Sequence, residues 1–278
     1  MSAEQKDANG QGASHDPTTK VATKFWYERP TEHNPYVADQ YLCHGYDLLE
    51  LASKRSFVEV LYLIFKGELP TLEQVKILET LMILLINPGP RHPATRAAMN
   101  AAVGKVNTAH LLPIGLSILS GEHLGGGEVG ASMEFMKRHR TKSPQAVAAE
   151  LLAKAALPKE GDCTLVPGFG SRFGDRDVMA EKIAAVMMAL PGAGKTLCWG
   201  SEFAVALNPA GLGWLVPGVA AAVFLDLGFH PRAGAGMFQL ISAPGILAHG
   251  LEFANKPLTA IPWMDDDHYV IEALPAED

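Results

Sequence analysis

The octapeptide ALPGAGKT, Ala189 to Thr196, is the stretch whose residue types most directly suggest chemistry, because glycine N–H groups ahead of Gly-Lys-Thr can cradle phosphates. The apolar run Val223-Phe224-Leu225-Asp226 ends in an acid and imitates a magnesium-holding strand. The context opposes a nucleotide site: Glu181 to Leu190 has a helical pattern, and a nucleotide-binding α/β core needs several alternating strands. A helix C-terminus and turn at Pro191, Gly192 and Gly194 accounts for the same residues. The basic cluster Lys137, Arg138, His139, Arg140 and Lys142 reads as a solvated helix end, with a phosphate contact as the alternative. Cys43, Cys163 and Cys198 are odd in number, widely spaced and without a CxxC pair, so no disulfide framework and no metal site is expected.

The elements that must position such residues are helical. Ser56 and Glu59 have capping-box spacing ahead of the apolar run Phe57 to Phe65, which Gly67 and Pro70 close. Thr71 and Gln74 form a second capping box, opening a helix toward Ile86 that Asn87-Pro88 stops. Further helices are expected over Ala94–Leu112, Glu128–Arg138, Pro144–Ala156 and Asp177–Leu190, and Ser143-Pro144 supplies an N-cap followed by proline at the first helical position. No comparable strand signal is present, so the fold class expected is all-α.

With 278 residues, 48% of them hydrophobic and 19% charged, the chain is long and apolar enough for a substantial core. A net charge of -7 argues against a nucleic-acid partner. Residues 1–24 are polar and Gly-rich without the apolar core of a signal peptide, so they read as a loose tail and the protein as cytoplasmic. The uncharged stretch Phe203 to Leu225 contains Asn208, Pro209 and Pro217, which favours buried helices broken by loops over a membrane span.

Gly45 to Thr71 (GYDLLELASKRSFVEVLYLIFKGELPT) resembles the N-terminal signature of bacterial citrate synthases and citryl-CoA lyases. The likeness continues through Gly121 to Gly127 (GEHLGGG), Pro167 to Asp177 (PGFGSRFGDRD), Phe224 to Pro231 (FLDLGFHP) and Ile241 to Glu252 (ISAPGILAHGLE). Pro262 to Val270 (PWMDDDHYV) is similar to the tail of the lyase module of ATP-citrate lyase. The resemblance implies a citrate synthase-like fold and a homodimer or higher homo-oligomer. It implies a large helical domain over 25–129 and 217–278, with a smaller one over 130–216. It also implies coenzyme A, as thioester substrate, bound beside a small carboxylate. In that family an aspartate removes an α-proton, one histidine donates to the enolising carbonyl and another polarises the ketone.

Carried over position by position, the first histidine falls on Leu124, with His123 one residue early; on a helix that offset turns a side chain by about 100°. The Gly-His-Arg motif reads Gly170-Ser171-Arg172, and serine can donate one hydrogen bond but cannot carry an imidazolium charge. Arg172 and Arg176 are the expected anion-binding arginines, and Pro167, Gly168, Phe169 and Gly170 correspond to the adenine-contacting loop. The base position falls on Pro217, and Asp226 reads as a structural residue. An upstream histidine falls near Pro88, where His92 is the compensating candidate, and a substrate arginine falls on Ala243. His249 reads as a buried, hydrogen-bonded histidine.

The residues thus expected at a site are His123 and Ser171 for catalysis, Arg172, Arg176 and His92 for substrate, and the Pro167–Gly170 loop for CoA. Two readings remain open: a citryl-CoA lyase-like enzyme breaking or forming a carbon–carbon bond on an acyl-CoA, or a catalytically silent CoA-binding partner of an active homologue.

Overall fold

The structure is a computed structural model and describes residues 23–156, 161–262, 264–265 and 267–269. All of the expected tail but its last two positions, and Trp263, Asp266 and Val270 of the C-terminal motif, lie outside the described residues. Helices carry the fold. Two compact units divide the chain at Leu69 and Pro70.

In the first unit, β1 (Trp26–Pro30), β2 (Ala38–Cys43) and β3 (Tyr46–Asp47) form an antiparallel sheet, followed by α1 (Leu48–Lys54) and α2 (Phe57–Lys66). This sheet departs from the strand-free expectation. β1 is largely exposed and carries Glu28 and Arg29, while β2 alternates half-buried with exposed residues but has polar Gln40 on its inner side, so neither shows an apolar alternation. What closes the second hairpin is a two-residue turn, His44 (φ 47°) and Gly45 (φ 86°), since tight hairpins need left-handed backbone at both central residues. Ser56 and Glu59 do form a reciprocal capping box, and Gly67 ends α2 in the left-handed conformation. Cys43, Leu51 and Leu63 are the buried centre of the unit.

The second unit holds α3 (Leu72–Leu84), α4 (Pro93–Val103), α5 (Leu111–Leu119), α6 (Gly126–His139), α7 (Pro144–Lys154), α8 (Val178–Met188), α9 (Lys195–Leu207), α10 (Val216–Asp226) and α11 (Pro231–Ala254). Thr71 with Gln74 and Ser143 with Pro144 cap their helices as the spacing predicts. The helix expected over Ala94–Leu112 is instead two. Gly104 and left-handed Lys105 (φ 61°) break the chain, and the Lys105 ammonium donates to the carbonyls of Ala254 and Lys256 at 2.8 and 2.9 Å, satisfying the end of α11. A second small sheet, β4 (Cys163–Val166), β5 (Phe169–Ser171) and β6 (Gly213–Trp214), is again too short to show a periodic signal. Among the described residues no helix is long and apolar enough to cross a membrane, and Phe203 to Leu225 is divided between α9, a short turn, β6 and α10.

The phosphate-loop resemblance resolves into a helix start that is already filled. α8 ends at Met188, Gly194 caps α9, and the Asp226 carboxylate accepts the N–H groups of Thr196 and Leu197 at 2.8 and 2.9 Å. The chain's own acid thus occupies the place a phosphate would take. A side chain at Gly194 would collide with it, a built Cβ lying 2.2 Å from Asp226 Cγ. The basic cluster at the end of α6 is likewise used internally in part, because Arg140 donates to Thr196 Oγ1 at 3.1 Å and the Lys142 carbonyl accepts the Trp199 indole N–H at 2.9 Å. Asp226→Ala is expected to cost about 1–2 kcal/mol in urea denaturation, the magnitude of a lost N-cap, while Lys195→Ala stays within about 0.5 kcal/mol. Equal effects of the two would contradict this assignment.

Candidate functional site

The site begins where the segment after α3, Leu85 to Asn87, meets α11. Pro244, inside α11, has no N–H to give its helix, and next to it the Gly245 N–H donates instead to the Ile86 carbonyl at 2.9 Å. Ser242 Oγ donates to the Leu85 carbonyl at 3.3 Å, and the Asn87 amide meets His249 Nε2 at 3.2 Å. Gly245 admits this approach because a Cβ there would lie 2.5 Å from Asn87 Cα. His249 is half-buried and hydrogen-bonded, close to its sequence reading. These bonds fix the loop from Leu85 to His92 over the middle of α11.

On the opposite side stands Glu128, which is 3% exposed. Its oxygens accept the Leu124 N–H at 2.6 Å and the Gly168 N–H at 3.0 Å, so one carboxylate ties the start of α6 to the β4–β5 turn. Leu124 has a left-handed backbone (φ 57°), unusual for leucine, held from both sides: its N–H by Glu128 and its carbonyl by His92 Nε2 at 3.2 Å. His92 Nδ1 accepts the Ala94 N–H and caps α4, so its proton resides on Nε2. Burial pushes the Glu128 carboxyl above its ordinary range, opposed by the N–H groups of Leu124 and Gly168, and burial lowers the His92 imidazole.

Between these anchors lies a cavity of about 300 Å³. Pro88, Leu124, Arg172 and Pro217, all positions singled out by the sequence, line it together, with Ser242 beside Ala243. Its remaining wall is mostly apolar, from Leu84, Leu85, Met179, Ile183, Val216 and Phe238, with Asn87, His92 and Asp177 as further polar members. Arg172 reaches it with its Nε buried and without a hydrogen-bond partner; the nearest acid, Asp162, is 3.7 Å away. Asp177 Oδ1 accepts the N–H groups of Met179 and Ala180, both at 3.0 Å, at the start of α8.

The other expected site residues fall elsewhere. His123 is exposed and outside the lining, because the left-handed turn at Leu124 sends leucine, not histidine, to the cavity. Ser171 is buried at the end of β5 and is not a lining residue. Arg176 pairs with Glu181 at 3.1 Å and borders a different surface depression with Trp214. In the Pro167–Gly170 loop, Pro167 is half-buried, and Gly168 (φ 84°) sits so close to Gly218 that a Cβ would come within 2.6 Å of its Cα. Gly170 is buried too, where a Cβ would strike the Cys163 carbonyl. The Phe169 ring, fully buried, stacks on Trp214 with centroids 4.4 Å apart and meets Phe203 edge-on at 4.7 Å. Phe169 is therefore a core side chain, and the Gly168 backbone is bonded to Glu128 and Leu215.

Glu128 and Asp177 were missed as site residues. Each had a signal: Glu128 is the N3 residue of a glycine-opened helix, the place from which a glutamate reaches back to free N–H groups, and Asp177 is an N-cap.

The fold so described is shared with solved structures of citryl-CoA lyase, ATP citrate lyase and citrate synthase. Citryl-CoA lyase from Hydrogenobacter thermophilus superposes with a TM-score of 0.73 at 24% identity, over 93% of this chain and 96% of that one. An ATP citrate lyase from Methanosaeta concilii bound to (3S)-citryl-CoA gives 0.68 at 17% identity over 89% of this chain, which spans only 42% of that enzyme. Citrate synthase from Thermoplasma acidophilum, in complex with carboxymethyl coenzyme A and oxaloacetate, gives 0.61 at 19% identity over 80% of this chain and 59% of the other. No protein-family model and no curated protein sequence matches the chain.

Glu128→Gln is expected to destabilise the fold by about 1–3 kcal/mol, since an amide can accept only one of the two N–H groups and turns a donor toward the other. A carboxyl raised on folding contributes stability that is present below its unfolded value and lost as pH rises through its folded one. The stability gap between the wild type and Glu128→Gln, followed by urea denaturation, should therefore narrow as pH climbs above the ordinary carboxylate range. His92 has the opposite sign: its contribution is complete above the ordinary imidazole value and lost as pH falls through its depressed one. Its resonance in an NMR titration should move below the ordinary imidazole range. A midpoint at or above that range would refute the burial assigned to it.

Proposed function

We propose that this protein handles an acyl-CoA thioester together with a small carboxylate at the Arg172 cavity, in a citryl-CoA lyase-like arrangement. One observation carries the reading: Pro88, Leu124, Arg172 and Pro217, far apart in sequence, converge on one cavity, as positions of a shared site should. The expected division into a large domain (25–129 with 217–278) and a smaller one (130–216), and assembly as a homodimer, belong to the same proposal. Half-buried Pro167 is the part of the Pro167–Gly170 loop left to face CoA, since the Gly168 N–H and carbonyl are bonded to Glu128 and Leu215 and the Phe169 ring is committed to the core.

Carbon–carbon cleavage or condensation on this scaffold needs a proton acceptor. Asp177 is the lining carboxylate, with one oxygen engaged at the helix start, and it is the base to which turnover would be assigned. The second reading, a silent CoA-binding partner of an active homologue, is favoured by His92. It is the one histidine among the described lining residues, and both its ring nitrogens are engaged by backbone.

Calorimetry with CoA and acetyl-CoA, and thiol release from citryl-CoA, test both readings. CoA binding is expected, and its absence refutes the proposal. Turnover that falls about a hundredfold or more in Asp177→Asn, on the scale of a lost general base, identifies the enzyme. Binding with no thiol release above the protein-free background identifies the silent partner.

A further inference from the structure

We infer that the small carboxylate held at this cavity is an aliphatic monocarboxylate rather than a di- or tricarboxylate such as citrate or oxaloacetate. The inference deepens the proposed function and rests on the cavity's polar inventory.

Each neutral polar side chain on the lining is already engaged. Asn87 accepts the Gly89 N–H and meets His249, Ser242 donates to Leu85, and His92 bridges Ala94 and Leu124. Arg172 is different. Its guanidinium carries five N–H donors, Nε is buried without a hydrogen-bond partner, and Asp162 at 3.7 Å lies beyond hydrogen-bond reach. A buried donor left unsatisfied costs free energy that an arriving carboxylate recovers, and the planar guanidinium fork suits that group.

A second ligand carboxylate finds no such partner. Arg176, the other arginine that the sequence offered, is paired with Glu181 and borders a different depression. The other ionised lining group, Asp177, is itself an anion and repels one. The rest of the wall, including Leu85, Leu124, Ile183, Val216 and Phe238, offers apolar surface to hydrocarbon. At about 300 Å³ the cavity lies at the small end of small-molecule sites, fitting a short chain rather than a long lipid.

The test is calorimetry on the full chain with hexanoate, hexanol, citrate and CoA as separate titrants. Hexanoate should bind, hexanol should bind roughly tenfold or more weakly for want of the charge-assisted bond, and citrate should bind more weakly than hexanoate. Arg172→Gln should weaken hexanoate by a similar factor. Met179→Asp places an acid at an exposed, acid-tolerant helix start on the cavity wall and should also weaken it. Citrate binding as tight as hexanoate, or hexanoate binding unchanged in both variants, overturns the inference. CoA binding without hexanoate binding overturns it while leaving the proposed function standing; hexanoate binding without CoA binding does the reverse.

Discussion

Glu128 holds the second unit's site in shape. Its carboxylate is buried and accepts one N–H from Leu124 and one from Gly168, so a single side chain fixes both the turn that opens α6 and the turn between β4 and β5. Burying an ionisable group is costly unless its hydrogen bonds are made, and here both bonds come from backbone that no helix or sheet would otherwise satisfy. The left-handed leucine, the position of His92 beneath it and the approach of Gly168 to Gly218 all follow from that link.

The cavity inherits its chemistry from this geometry. Because Leu124 is held in the left-handed region, the histidine before it faces solvent, and an aliphatic group lines the cavity in its stead. Because His92 has one nitrogen capping α4 and the other supporting Leu124, it serves as a strut rather than a proton shuttle. Arg172 is then left as the cation of the lining, facing hydrocarbon and one anchored aspartate.

How far the sequence displayed this can be judged residue by residue. Helices announced themselves through capping chemistry at Ser56, Thr71 and Ser143, which is local and short-range. The helix break at Lys105 did not, because the carbonyls that hold its side chain, at Ala254 and Lys256, lie 149 and 151 residues away in sequence. The strands were hidden for a different reason: β3 and β6 have two residues each, too few for any period. At the site, the convergence of Pro88, Leu124, Arg172 and Pro217 was legible only through family resemblance. The separation of Arg176 from Arg172 was not, since a hairpin-like turn between Arg172 and Asp175 redirects the chain within four residues.

The supports of this cavity are largely backbone-directed. Gly245 reaches the Ile86 carbonyl, Leu215 reaches the Gly168 carbonyl, Asp226 fills the start of α9, and Glu128 joins two turns. None of these bonds needs a particular side chain at position 88, 124 or 217. Proline at 217 even suits the first turn of α10, where an absent N–H leaves no bond unmade. A scaffold held in this way can tolerate a change of residue on the cavity wall at small cost to stability.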